Sequence, residues 1–146
     1  KGHGFELEIQ WEPTSHIEIT GNYASQNSED ELTNTHTARA PRQQLFLSSN
    51  WEFSPGWKFY SQLNWVLDRP RTSGDTRSEV DDYRIVDLTL RKNMPTANWS
   101  VAVAAKNIFD SDAREPSEWS NPAASIPNDL PLAGRSFFAE IEYSFK

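Results

Sequence analysis

From Ser136 to Phe145 the chain alternates residue by residue. Phe137, Ala139, Ile141, Tyr143 and Phe145 form one set, and Ser136, Phe138, Glu140, Glu142 and Ser144 the other. Neighbouring side chains of a β-strand point to opposite faces, so this spacing makes a ribbon with one greasy side and one mostly polar side. Six earlier stretches repeat the pattern. Phe5, Leu7, Ile9 and Trp11 oppose Glu6, Glu8 and Gln10; Ile17, Ile19, Gly21 and Tyr23 oppose Glu18, Thr20 and Asn22. Leu45 through Phe53, Trp57 through Leu67, Val86 through Leu90 and Trp99 through Ala105 supply the odd or even apolar sets of the other four. Charge is absent from the middle of the apolar set each time, and Arg84 and Lys92 bound the fifth run, where long cationic side chains can snorkel. None of these runs has helical spacing. The pattern predicts an all-β chain, an antiparallel up-and-down meander of about seven strands.

Two environments suit such an apolar face: the core of a soluble sandwich, or lipid around a transmembrane barrel. The connections discriminate between them. Glu12 to Ser15, Ser54 to Gly56 and Asn93 to Asn98 are short; Ala24 to Gln43, Asp68 to Asp82 and Asp110 to Arg135 are long. Short and long alternate strictly, as in outer-membrane barrels with tight periplasmic turns and extended external loops. The short turns carry Pro13-Thr14-Ser15, Ser54-Pro55-Gly56 and Asn93 with Pro95, which is turn chemistry. Trp11, Trp51, Phe53, Trp57, Trp99, Tyr143 and Phe145 gather at the short-turn end, as an interfacial aromatic girdle requires. Phe5, Tyr23, Trp65, Tyr83, Phe109 and Phe137 predict a looser belt at the other end.

Composition excludes some classes. The 146 residues carry a net charge of -7, which argues against a nucleic-acid partner, since that needs a basic patch. No cysteine is present, so there is neither a disulfide framework nor a thiolate metal site. No apolar run approaches the ~20 residues of a membrane helix, but barrels escape that test because only alternate residues meet lipid. The chain does not start with a basic segment leading into an apolar one. The expectation is either a removed signal peptide or a start inside a larger protein. Seven strands favour the latter: bacterial single-chain barrels generally have even strand numbers, and an open set leaves unpaired backbone in hydrocarbon at several kcal/mol per group.

The run Lys106-Asn107-Ile108-Phe109-Asp110, followed after a long loop by Leu132-Ala133-Gly134-Arg135-Ser136-Phe137-Phe138 and a strand ending Tyr143-Ser144-Phe145, resembles the C-terminal signature of TonB-dependent outer-membrane receptors. Gly2-His3-Gly4-Phe5-Glu6-Leu7-Glu8 and Ala40-Pro41-Arg42 resemble strand entries in the same family. One departure is Lys146 after Phe145, where the family usually stops on the aromatic. The resemblance implies that residues 1–146 are the C-terminal segment of a 22-stranded transmembrane β-barrel in the bacterial outer membrane, with the plug domain absent. It further implies a receptor that imports a scarce nutrient, most often a ferric siderophore, with cobalamin, haem and oligosaccharides as other cargo classes. Its partners would be TonB through the plug, outer-membrane lipid and the barrel assembly machinery. Gly134, Arg135, Phe137, Tyr143 and Phe145 would form the barrel-closing strand and terminal signal. The rival expectation is a soluble antiparallel β-sandwich that binds carbohydrate or a cell surface.

Ligand chemistry is expected in the long loops. Arg69, Arg71 and Arg77 sit among Asp75, Glu79, Asp81 and Asp82, and arginine suits carboxylate or catecholate oxygens. These three arginines are candidate contacts for an anionic siderophore, with self-compensation inside the loop as the alternative. Trp119 is a candidate for stacking on a ligand ring or for packing in the last loop, which with Pro116, Pro122, Pro127 and Pro131 is expected to fold over the barrel mouth. The acidic residues make no complete cation-binding loop. His3, His16 and His36 lack metal-ligand spacing and no serine lies in a nucleophile elbow, so no metal, cofactor or enzymatic activity is expected.

Overall fold

The computed structural model describes residues 1–30, 35–36, 40–120 and 123–145. In chain order the strands are β1 (Gly2–Thr14), β2 (Ile17–Asp30), β3 (Thr35–His36), β4 (Gln43–Ser54), β5 (Trp57–Leu67), β6 (Tyr83–Met94), β7 (Trp99–Lys106), β8 (Arg114–Glu115), β9 (Trp119–Ser120), β10 (Ala123–Ala124), β11 (Leu130–Pro131) and β12 (Ser136–Tyr143). One sheet runs β1-β2-β4-β5-β6-β7-β12, every neighbour antiparallel, with β3 attached to the end of β2. This is the expected meander of seven long strands. No α-helix occurs among the described residues; one 3₁₀ turn, Pro95–Ala97, closes the third short connection, where Asn98 adopts a left-handed φ of 57°.

Register aligns the apolar sets into continuous rows. Trp51, Phe59, Leu90, Val103 and Ala139 are cross-strand partners in sequence, and so are Leu47, Leu63 and Val86 four residues further along each strand, beyond the row of Ser49, Ser61 and Leu88. A slip of one residue would turn every one of these side chains to the opposite face, so the pattern specifies the register. The opposite face carries the row Glu52, Lys58, Arg91, Ala102 and Glu140. Small Ala102 leaves room for Arg91 Nη2 to reach over it and donate to Glu140 Oε1 at 2.6 Å.

Nothing among the described residues covers the outward face. Leu7, Leu47, Val103 and Ile141 share the outward side with exposures of 52, 42, 57 and 71%. A sandwich would bring them together in one dry interior, and they do not converge. Buried apolar residues lie instead at the long-loop end, where Val66, Tyr83 and Ala113 cluster with Ile85 against them.

Aromatics border the apolar rows. Trp51, Phe53 and Trp57 form a chain of rings 5.5 and 6.1 Å apart at the short-turn end, and Trp99, Tyr143 and Phe145 a second with 4.8 Å between successive centroids. Phe5 and Tyr23 meet at 5.6 Å at the other end.

Three boundaries differ from expectation. The first long connection was expected from Ala24, yet β2 continues to Asp30 and folds back onto β3. Ser25, Gln26, Asn27 and Ser28 remain paired to β1 through their backbones. Both faces are polar there, so alternation ceases while the ladder persists. Residues 31–34 and 37–39 of that connection lie outside the described residues, as do Asn121, Pro122 and Lys146. On the third short connection, β6 extends to Met94 before the turn. The last strand's ladder closes at Tyr143 rather than Phe145, with Ser144 N–H donating to Asn98 O at 2.9 Å.

Candidate functional site

The loops 68–82 and 107–135 leave the same end of the sheet and fold onto each other. The first begins at Asp68, whose left-handed φ of 52° turns the chain away from β5. Asp68 N–H donates to Asp82 Oδ1 at 2.9 Å, closing the loop base, and Arg69 forms a lone antiparallel bridge with Val80. At the tip Asp75 N–H reaches Thr72 O at 3.0 Å; the turn requires Gly74, whose φ of +87° suits a residue without Cβ. The second loop is not a bare connection. Its β8 pairs with β11 and its β9 with β10, so Pro131 lies opposite Arg114 and Ala124 opposite Trp119.

Arginines stitch the loops together. Arg69 is 1% exposed and donates to the carbonyls of Arg114 and Asp81. Its guanidinium lies 4.6 Å from the Tyr83 ring centre and 3.6 Å from Glu115 Oε2, while Tyr83 Oη donates to Glu115 Oε1 at 2.9 Å. Arg71 grips Asp129 with both terminal nitrogens, at 2.8 and 2.6 Å. Arg77 holds Asp75 through Nη2 at 2.6 Å and Asp129 through Nη1 at 3.0 Å, and its guanidinium lies 5.8 Å from the Trp119 ring centre. Asp129 also accepts from Ser117 N–H at 3.0 Å. The two arginines and two aspartates neutralise one another.

These contacts shift the acids in a definite direction. The hydrogen bonds from Arg71 are the largest influence on Asp129; burial opposes them, Ser117 N–H and the charge of Arg77 assist, and the carboxyl is held far below the usual carboxylate range. Asp75 is lowered in the same sense, first by the hydrogen bond from Arg77. Arg77 is correspondingly raised, chiefly by Asp75.

Beside this network an open cleft of about 550 Å³ is lined by Arg71, Arg77, Glu79, Asp112, Arg114 and Asp129. Of the arginines singled out from sequence, Arg71 and Arg77 edge the cleft and Arg69 does not. Arg69 has no exposed donor edge. Trp119 packs on Arg77. The partners Asp129, Ser117 and Glu115 were not anticipated, since they lie in another loop and no spacing rule announces them.

The motif residues form a second construction at the base of the same loop. Asn107, 2% exposed and at a left-handed φ of 47°, donates its N–H to Asp87 Oδ1 at 2.9 Å and its Nδ2 to the carbonyls of Ser111 and Ala133, and accepts from Ser111 N–H through Oδ1. Lys106 Nζ reaches the other oxygen of Asp87 at 2.9 Å. Three residues on, Asp110 Oδ1 accepts from Arg135 N–H at 2.9 Å, directly beside Gly134. Asp110 and Asn107 thus clasp the residues that lead into β12. Phe137 then faces outward opposite Ala105, and Tyr143 pairs with Trp99.

Comparison with known proteins agrees with this geometry. The sequence profile of the family described as TonB dependent receptor-like, beta-barrel matches residues 1–108. No curated protein matches the chain. The copper transporter OprC superposes with a TM-score of 0.71 at 17% identity, covering 99% of this chain and 23% of that one. A chain of the FpvAI–pyocin S2 complex gives 0.78 at 19% identity, with coverages of 99% and 20%. A mutant of the ferric enterobactin receptor PfeA from Pseudomonas aeruginosa, in complex with enterobactin, gives 0.76 at 17% identity, with coverages of 97% and 22%. At these identities the likeness is one of fold. The chain spans about a fifth of the length of the structures it superposes on, with 20 to 23% of each covered in these three.

Proposed function

The chain belongs to the TonB-dependent receptor β-barrel family, whose members reside in the bacterial outer membrane, and we propose that it is the C-terminal wall of a receptor that imports a ferric siderophore. In this reading its seven long strands close a 22-stranded barrel around a plug domain carried elsewhere in the full protein, and TonB acts through that plug. The observation that carries it is the uncovered outward face: mostly apolar rows, bordered by aromatics, on a sheet whose edges β1 and β12 are open. Lipid satisfies that face, and further barrel strands satisfy the edges. Gly134, Arg135, Phe137, Tyr143 and Phe145 belong to the closing strand and its approach, which the barrel assembly machinery would read.

The donors of the two loops beside the cleft favour one cargo class. A copper receptor needs soft or imidazole ligands. Neither 68–82 nor 107–135 contains a histidine, methionine or cysteine. Arginine donors beside an open cleft suit the oxygens of an anionic chelate instead. Arg71 and Arg77 with Trp119 are the contacts in this reading, reached by exchange of Asp75 and Asp129 for ligand oxygens, while buried Arg69 braces the loop. Transport of labelled iron by cells whose only such receptor is the full-length protein tests the assignment. Uptake of a ferric catecholate or hydroxamate, reduced about tenfold or more when Arg71 and Arg77 both become Ala, is the expected result. Copper uptake without iron uptake, or iron uptake indifferent to both substitutions, would contradict it.

A further inference from the structure

We propose that Arg114 is the group of the cleft that first takes hold of an incoming chelate, and that Asp112 occupies its hydrogen-bonding edge until the chelate arrives. The inference rests on the reading that this cleft receives an anionic ferric chelate.

Three arginines line the cleft, and they differ in what their nitrogens already hold. Arg71 gives Nε to Ser78 O and both terminal nitrogens to Asp129. Arg77 gives Nε and Nη2 to Asp75 and Nη1 to Asp129. Every guanidinium nitrogen of these two is engaged. Arg114 differs: Nε donates to Asp112 Oδ1 at 3.0 Å and Nη1 to Asn128 O at 2.7 Å, while among the described residues Nη2 has no acceptor. Such a guanidinium can add a charge-assisted hydrogen bond to a ligand oxygen without breaking any contact.

The acids differ in the same sense. The side chains of Arg71 and Asp129 are each 9% exposed, and Asp75 is 2% exposed beside Arg77. Arg114 is 36% exposed and Asp112 73%. Water solvates both charges of the exposed pair, so it holds weakly, whereas the buried carboxylates can leave their arginines only with loss of the contacts that join the loops. Asp112 is therefore the acid that yields. Once it does, Nε and Nη2 of Arg114 present two parallel donors along one edge, the geometry that paired oxygens of a chelate accept.

The backbone holds this side chain in place. Arg114 lies in β8 opposite Pro131, its carbonyl accepts from buried Arg69, and its guanidinium is steadied by the turn at Asn128.

The test measures equilibrium binding of a ferric tris-catecholate and of a ferric trihydroxamate to the purified full-length receptor by quenching of tryptophan fluorescence. For whichever chelate binds, Arg114→Gln should weaken binding about tenfold, and Arg114→Lys, which keeps the charge without the fork, should fall between. Asp112→Asn should tighten binding about threefold, because the competing charge is gone. That gain decides the matter even where Arg114→Gln loosens the loop through Asn128, since damage to the loop does not raise affinity. Wild-type affinity in Arg114→Gln, or unchanged or weaker binding in Asp112→Asn, would overturn the proposal; dependence on Arg71 and Arg77 alone would then leave the cargo reading standing. A receptor that binds neither chelate would defeat that reading, and this contact with it.

Discussion

Asp129 accepts both terminal nitrogens of Arg71, at 2.8 and 2.6 Å, across a sequence separation of 58 residues. With the Arg77–Asp129 and Arg69–Arg114 contacts, it ties two long loops into one body above the sheet. The side chains are each 9% exposed, so neither charge can be recovered by water if the other is removed. Asp129→Ala should therefore loosen both loops by about 3 to 5 kcal/mol of local stability while the barrel stays assembled. Amide hydrogen exchange in 68–82 and 107–135 of the full-length receptor measures it. Unchanged protection in either loop would count against the brace.

Acid should act on the same contact, with a sign fixed by the depressed carboxyls. Asp129 and Asp75 lie below their ordinary range in the folded loops, so their contribution is fully present above the unfolded carboxylate value of about 4 and is lost only as pH falls through the folded values. Protease resistance of the loops should be flat from neutrality to about pH 4 and decline below it. A decline centred near pH 6 would point to histidine and away from these acids.

The clasp at Asn107 makes a separate prediction. Its side chain serves Ser111 and Ala133 while its backbone holds a left-handed φ of 47°. Asn107→Ala loses the contacts and strains the backbone; Asn107→Gly loses the contacts alone. Both should weaken seating of the closing strand, by about 1 to 3 kcal/mol for the unmade hydrogen bonds, with Ala worse than Gly. Heat-modifiable mobility of the assembled receptor reads this. Wild-type behaviour of Asn107→Ala would mean that the motif does not position β12.

Substitutions on the two faces should part sharply. Leu47 and Val103 lie outward, and a cation there at mid-depth costs roughly 2 to 4 kcal/mol; Asn64 faces inward between Phe46 and Ile85. Leu47→Arg and Val103→Arg should abolish assembly of the full-length protein, and Asn64→Arg should not. Equal outer-membrane levels of all three, measured by quantitative immunoblotting, would contradict this.

The sheet was legible because its constraint is local and repeated. Leu45, Leu47, Trp51 and Phe53 announce one face without reference to any other part of the chain, and the antiparallel register follows once neighbouring strands have the same polarity. Where both faces are polar, as from Ser25 to Ser28, alternation is silent and the strand was underestimated. The loops were legible only as composition. Arg71 and Arg77 stood out as cations, but their partner Asp129 lies in a different loop and is brought near by the sheet rather than by spacing. Asn107 and Asp110 were visible as a motif. Their hydrogen bonds to the approach of β12 supply the reason for it.

The account depends most on lipid being the solvent of the outward face. The chain contains no cysteine, so single nitroxide labels can be placed at successive positions from 44 to 53 of the full-length receptor in bilayers, provided any cysteines elsewhere are first removed. Collision rates with oxygen and with a water-soluble nickel chelate then report lipid and water at each site. Oxygen accessibility should peak at 45, 47, 49 and 51, with nickel accessibility out of phase at the positions between. Nickel accessibility at the odd positions, or no period of two, would contradict the membrane barrel.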